Sequence, residues 1–389
     1  MQKKLLMVAK CRRRGKGPAA YIGDLISYLK KYGGQQFEID LLVTLLNSGY
    51  TKDDFEADNV ILPKVGVVSH LILKIPRIRA WYWNRIVQKT YSSTINSRDY
   101  DWIVFHAIPH DISYLVKLAK NTKAKILLYP WGSEIMRVAD STLESFRFAF
   151  DNMDFVRGDG SMLVEKLEKF YHIPHSKFVN LVYGSKVIDC IEKYRGKLSK
   201  DELAVRIGIN TASYYIVCGY NRYKGQNHET MISQLAMVKD FLPHGYTLVF
   251  PLTYGDGPND QYLRNLCKKS GLEAQFLTEY LTDEQMACLH LVTDLFIHIQ
   301  QTDLANSYMI ESVFANTNII SGGWLSYVDL EKGGKPYYTT EVPDQLHVVV
   351  RDFLNGKLPK RVAGKAVSEE IRKESWDFSI KGWADFFKN

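Results

Sequence analysis

Asp294-Leu-Phe-Ile-His-Ile299 and the stretch after it, Thr302-Asp-Leu-Ala-Asn-Ser-Tyr-Met-Ile-Glu-Ser312, decide the fold of this 389-residue chain. The first is a short apolar run. The second is a polar loop that opens a helix pattern. A buried strand ending in a loop and then a helix is the repeating unit of open α/β sheets, and such junctions are where those sheets bind ligands. The helix start offers N–H groups and a positive dipole end, which suit an anion such as a nucleotide diphosphate. Asp303 and Glu311 stand eight positions apart, a little over two helical turns. Both carboxylates then fall near one face if Asp303 lies at the helix start. The plain alternative is that Asp303 caps the helix and Glu311 is a solvated or ion-paired residue on it.

Outward from this segment the same alternation continues. In the first half, Leu5–Ala9, Phe37–Leu45, Trp102–His106 and Lys125–Tyr129 read as strands, and Asp154-Phe-Val156 is a short apolar run. Ala19–Lys31, Ser113–Lys120, Thr142–Asp151 and Met162–Tyr171 read as helices between them. Residues 185–205 are charged and poor in apolar strength, as a connector would be. The pattern then restarts with strands Ser213–Cys218, Tyr246–Pro251, Glu273–Phe276, Asp294–Ile299 and Asn318–Ser321. Helices His228–Val238, Asp260–Ser270, Asp283–His290 and Met309–Phe314 separate them. Two such arrays predict an α/β protein of two doubly wound, Rossmann-like domains facing across a cleft. The expected bounds are 1–190 for the first domain and 206–365 for the second. A C-terminal helix within 366–389, carrying Trp376, Phe378, Trp383, Phe386 and Phe387, crosses back to pack on the first domain.

Composition bounds the function. Hydrophobic residues make up 46% and charged residues 24%, as in ordinary globular proteins. The five cysteines are scattered with no CxxC pair, so neither a disulfide framework nor a zinc site is expected. A reducing cytosol fits. No stretch approaches the roughly 20 apolar residues of a membrane span, and the start is too short for a signal peptide core. The expected location is cytoplasmic or the inner face of the cell membrane. The net charge of +7 is uneven: residues 1–195 hold 30 lysines and arginines against 20 aspartates and glutamates, the rest 20 against 23. An anionic partner for the first domain alone follows, and nucleic acid is not expected.

Several loops carry candidate chemistry. Gly219-Tyr-Asn-Arg-Tyr-Lys-Gly225 follows the first strand of the second domain. Arg222 and Lys224 there suit a diphosphate without a metal, and the glycines allow close backbone approach. A solvated polar loop is the alternative. Tyr254, in the turn Pro251–Asn259, faces a nucleotide or belongs to a plain turn. In the first domain, either imidazole of His106-Ala-Ile-Pro-His110 faces the cleft, the other being structural. Tyr129-Pro-Trp-Gly-Ser-Glu134 ends a strand, with Gly132 lining a helix start and Glu134 an acid/base or sugar contact. Arg14, Gly15 and Gly17, in the basic run after the first strand, suit a diphosphate on the acceptor side. Residues 61–86 interleave Leu71, Ile75, Ile78, Trp81 and Trp83 with Arg77, Arg79 and Arg85, a mixture that suits an anionic membrane interface or a core helix with a basic face.

Taken in order, these motifs resemble the GT-B glycosyltransferases. The spacing from Asp303 to Glu311 is similar to the carboxylate pair of glycosyltransferase family 4, and Glu374-Ser-Trp-Asp377 to that family's closing helix. Phe105-His-Ala107, Trp131-Gly-Ser133 and Gly219-Tyr-Asn221 resemble the acetamido-fucosyl transferases that extend undecaprenyl-diphosphate-linked sugars. Two departures stand out: Asp303 replaces the usual Glu, and Tyr223 separates the two cations. The resemblance implies metal-independent transfer of a sugar from a nucleotide-diphosphate donor, with no cofactor, to a saccharide or lipid-linked saccharide in surface polysaccharide biosynthesis. It implies that Glu311 binds the donor ribose and Asp303 the sugar hydroxyls. Arg222, Lys224 and the helix start at Ser307 stabilise the leaving diphosphate, and His106 or Glu134 meets the sugar. The alternatives are a sugar-nucleotide epimerase, separable by acceptor-independent turnover, and a non-catalytic sugar-nucleotide-binding protein.

Overall fold

Strand β1 (Lys3–Ala9) sits at the centre of the first sheet, and Leu5 through Ala9 are all buried. A run without polar alternation is what a parallel strand covered on both faces requires. Its companions are β2 (Phe37–Val43), β3 (Asn59–Ile61), β4 (Trp102–His106), β5 (Lys125–Tyr129), β6 (Phe155–Arg157) and β7 (Phe178–Val179). The order is β3-β2-β1-β4-β5-β6-β7 and every neighbouring pair is parallel. The computed structural model describes residues 2–10, 18–46, 48–303 and 306–389. The first compact unit comprises residues 1–184 and 377–389, the second residues 185–376.

The second unit repeats the plan. Its strands are β8 (Tyr214–Cys218), β9 (Tyr246–Pro251), β10 (Ala274–Leu277), β11 (Leu295–His298), β12 (Asn318–Gly322) and β13 (Tyr338–Thr340). They run β10-β9-β8-β11-β12-β13, all parallel. Strand order therefore reverses between β1 and β4 in one sheet and between β8 and β11 in the other. Loops leave the carboxyl ends of those two strand pairs toward opposite faces, and a crevice opens there.

Two local expectations are corrected. Residues 186–206 are not a connector but two helices, Lys186–Tyr194 and Lys200–Arg206, within the second unit. Val187, Ile188, Ile191 and Tyr194 form a narrow buried stripe there, so few apolar residues suffice. The closing helix is two helices, Lys365–Arg372 and Trp376–Lys388, and residues 377–389 of the second pack within the first unit. Residues 67–97 form a short helix, Val67–Ile72, and a long one, Pro76–Ser97.

The closing helix is anchored by tryptophans. Trp383 is fully buried and its Nε1 donates to the Val182 carbonyl at 2.9 Å. Trp102 of β4 donates to the Phe387 carbonyl at 3.1 Å, and its ring meets Phe386 at 4.6 Å. Replacing Trp383 by Ala removes the ring and leaves the Val182 carbonyl unpaired. Trp383→Ala is expected to lower the stability of the first unit by about 3–5 kcal/mol, read by far-ultraviolet circular dichroism in urea. A loss below about 1 kcal/mol would contradict this anchoring.

Candidate functional site

In the second unit the loop after β8 is built around Gly219, whose φ of +67° and close neighbours exclude a side chain. A Cβ there would lie 2.9 Å from Gln226 Oε1 and 3.0 Å from His228 Nε2. Hydrogen bonds tie the loop to the one after β11. Gln301 N donates to Gly225 O at 2.8 Å, Asn227 Nδ2 to Ile299 O at 2.7 Å, and Gln226 Nε2 to Gln300 Oε1 at 2.8 Å. From below, the turn after β9 supports it: Arg222 N donates to Tyr254 O at 2.6 Å. Gly257 passes so close that a Cβ would overlap the Arg222 carbonyl at 1.6 Å. The Tyr254 ring stacks on Tyr280 at 5.9 Å and stands edge-on to Tyr223 at 6.1 Å.

This bracing holds two cations at the switch point. Arg222 is half-buried and its buried Nε has no hydrogen-bond partner, while Lys224 is exposed. Among the described residues neither forms an ion pair with a carboxylate. Tyr220 stacks on Tyr308 at 5.5 Å, which sets the helix Ser307–Phe314 beside the same loop. Two cations with no ion-paired carboxylate among the described residues, on the loop that Tyr308 packs against, make an electropositive surface suited to phosphate.

The carboxylate pair sits differently from the spacing argument. The helix begins at Ser307, so Asp303 precedes it, and Asn306 is the cap, accepting from Met309 N at 2.9 Å. Asp303 Oδ2 accepts from the Tyr327 hydroxyl at 2.6 Å, lies 3.1 Å from His298 Nε2, and accepts from the Asn306 amide. Burial and the facing Asp303 charge push the Tyr327 hydroxyl far above its ordinary pKa, so it remains a donor. Glu311 lies on the inward face of the helix. Its Oε1 accepts from Ser185 Oγ at 2.8 Å and its Oε2 is 3.2 Å from His290 Nε2. His290 Nδ1 in turn meets Ser312 Oγ at 3.1 Å.

In the first unit His106 ends β4 and is buried, with Nδ1 2.6 Å from the Tyr183 hydroxyl and no partner at Nε2. Burial lowers its pKa to about 3, so the ring is neutral at pH 7 and a poor proton acceptor. With Tyr183 donating to Nδ1, the ring proton is assigned to Nε2, which makes His106 a neutral donor. Tyr129, Tyr183 and Trp383 surround the ring, and Trp131 stacks on Tyr183 at 5.0 Å. Glu134 braces the loops after β4 and β5, accepting from Trp131 N at 2.7 Å and Ile108 N at 3.3 Å. Gly132, with φ of +109°, opens the short helix Ser133–Met136. Arg14, Gly15 and Gly17 lie outside the described residues. Sequence reasoning passed over Tyr183, Ser185, His290, His298 and Tyr327. His298 carried a signal, as a polar residue inside a wholly buried strand.

No protein-family description and no curated protein matches the sequence. Solved structures do match. A glycosyltransferase from Rickettsia africae superposes with a TM-score of 0.69 at 16% identity, over 100% of this chain and 98% of that one. The lipopolysaccharide outer core galactosyltransferase WaaB gives 0.67 at 12%, over 99% and 100%. Anabaena HepE in complex with UDP and glucose gives 0.66 at 13%, over 100% of both chains. The fold is that of the GT-B glycosyltransferases. In this chain the strand-order reversals of both sheets carry the polar clusters described above.

His106 also predicts a pH dependence. Its native pKa of about 3 lies below the unfolded value near 6.5, so the native state favours the neutral ring. The associated stability is full above about pH 6.5 and declines as pH falls toward 3, by roughly 2 kcal/mol at pH 5. Wild type should therefore lose about that much more than His106→Asn between pH 7 and pH 5 in urea unfolding. Equal losses would contradict a buried neutral His106.

Proposed function

We propose that this chain is a glycosyltransferase that moves a sugar from a nucleotide-diphosphate donor to a saccharide acceptor. The observation that carries the reading is the pair Arg222 and Lys224, without a carboxylate partner among the described residues, on the loop whose Tyr220 stacks on Tyr308 of helix Ser307–Phe314. In the transfer, the bond between the anomeric carbon and the diphosphate oxygen breaks. The acceptor oxygen bonds that carbon and loses its proton. Negative charge grows on the leaving diphosphate, and groups placed to meet that growing charge lower the barrier. Arg222, Lys224 and the helix dipole at Ser307 are assigned that role. Asp303, held by Tyr327 and His298, is assigned the sugar hydroxyls, and Glu311 the donor ribose. Gly219 and Tyr254 shape the donor loop. His106 enters as a neutral hydrogen-bond donor rather than an acid or base. Glu134 and Gly132 set the loop beside it.

UDP-sugars are the first donors to test, because the similarly folded HepE was solved with UDP and with UDP-glucose. Charge neutralisation by two protein cations makes the proposed chemistry metal-independent and free of a cofactor. The acceptor is assigned to the lipid-linked saccharides of surface polysaccharide assembly, at the cytoplasmic face of the membrane. Val67 is 85% exposed, Val68 70%, and Leu71 and Trp81 60% each, beside exposed Lys74, Arg77 and Arg85. Apolar side chains ringed by cations complement an anionic lipid surface. Among the described residues no helix is long and apolar enough to cross a membrane.

Two outcomes check the proposal. Arg222→Ala and Lys224→Ala are each expected to lower kcat/KM by on the order of 100-fold with the circular dichroism spectrum unchanged, and wild-type turnover in both would refute the diphosphate role. Sedimentation with vesicles should capture the wild type on phosphatidylglycerol but not phosphatidylcholine, and Val68→Asp with Leu71→Asp should abolish capture. Equal capture of wild type and the double variant would remove residues 61–86 from the interface.

A further inference from the structure

One imidazole in the second unit is met by a single face of the helix that carries Glu311. Tyr308, Glu311 and Ser312 stand three and four positions apart, so they share one side of helix Ser307–Phe314. All three contact His290, in the helix Asp283–Val292. The Tyr308 ring lies 4.3 Å from the imidazole, Ser312 Oγ is 3.1 Å from Nδ1, and Glu311 Oε2 is 3.2 Å from Nε2. The Thr317 hydroxyl fixes the backbone there, donating to the His290 carbonyl at 3.1 Å.

These bonds run in one direction. A carboxylate only accepts, so Nε2 is assigned the imidazole proton and Nδ1 accepts from the Ser312 hydroxyl. On the other oxygen, the Ser185 hydroxyl accepts from Val187 N at 3.2 Å and Ile188 N at 3.4 Å. Its own proton is thereby directed to Glu311 Oε1 at 2.8 Å. The order hydroxyl, imidazole, carboxylate is that of a hydrolytic set, but Ser312 and His290 are each 1% exposed, so that hydroxyl meets no substrate. The group left to meet a ligand is the carboxylate. It offers about four acceptor positions, and among the described residues Ser185 and His290 take one on each oxygen. One position stays open on each, side by side on a group held at both ends. Two adjacent acceptors in a fixed orientation match two adjacent hydroxyls. Tyr308 ties this carboxylate to the cation loop, because the ring that packs on His290 also stacks on Tyr220.

We infer that His290 is a positioning residue that, with Ser185, aims Glu311 at the vicinal 2′ and 3′ hydroxyls of a ribose, so that the donor is a ribonucleoside rather than a 2′-deoxyribonucleoside diphosphate sugar. This assignment rests on the transfer reading and on the ribose role given there to Glu311. A 2′-deoxyribose supplies a donor to one of the two open positions and leaves the other desolvated and unpaired. Loss of one hydrogen bond to a charged group lowers affinity on the order of 10- to 100-fold.

Calorimetry on the full chain tests it, with UDP, GDP, their 2′-deoxy counterparts and pyrophosphate as probes. In the wild type at least one ribonucleotide should bind tenfold or more tightly than its 2′-deoxy counterpart. His290→Phe keeps a ring in place and removes both hydrogen bonds. It should weaken that ribonucleotide tenfold or more while the 2′-deoxy counterpart and pyrophosphate stay within threefold of wild type. His290→Gln, which restores an amide N–H donor, should keep at least a threefold preference for the ribonucleotide. Equal wild-type affinity for the two sugar types would overturn the inference whatever the variants do. So would a His290→Phe variant that retains the preference, or one that weakens all three probes alike, as a merely structural role requires. Failure of the wild type to bind UDP, GDP or pyrophosphate sinks the transfer reading itself, whereas tight binding without a 2′-hydroxyl preference leaves that reading standing and removes only the role of His290.

Discussion

The parallel pairing of β8 with β11 is the constraint on which the second unit depends. Leu295, Phe296 and Ile297 lie in register with Ile216, Val217 and Cys218, and sheet order reverses across this pair. The chain leaving β8 and the chain leaving β11 must then diverge, and the space between them cannot be filled by a crossover. The polar loop after β8 and the polar loop after β11 meet there. Gly219 lets the backbone turn sharply, Gly257 lets a third loop press against it, and the Arg222–Lys224 segment is left standing at the rim. The same reversal between β1 and β4 produces the His106 cluster.

The two carboxylates show how such a site is kept in shape. A buried ionised group is costly unless its oxygens are hydrogen-bonded, and both Asp303 and Glu311 meet that condition. Asp303 is held by a tyrosine, a histidine and the helix cap, and Glu311 by a serine and a histidine. Each network spans several elements: Ser185 caps helix Lys186–Tyr194, His290 lies in the last turn of the helix before β11, and Tyr327 follows β12. Orientation of the pair is therefore a property of the whole unit rather than of the loop that carries it.

Much of the architecture was legible in the sequence because parallel strands advertise themselves as apolar runs. β1, β2, β4, β5, β8, β9 and β11 all followed from that signal. The edge strands β3, β7 and β13 are two or three residues long and leave almost none. Residues 186–206 were misread because their buried stripe is narrow and embedded among charges. The candidate site was legible only in its loops. Arg222 and Lys224 follow a strand in plain view, whereas the bond between Ser185 and Glu311 joins residues 126 positions apart. No spacing rule finds such a contact.

The central claim is that the switch point of the second unit receives a nucleotide diphosphate. A crystal structure of the full chain soaked with UDP tests it most directly. The account predicts the two phosphates against the Arg222 and Lys224 side chains and the start of helix Ser307–Phe314. Phosphates placed elsewhere on the second unit, or on the first unit, would contradict it.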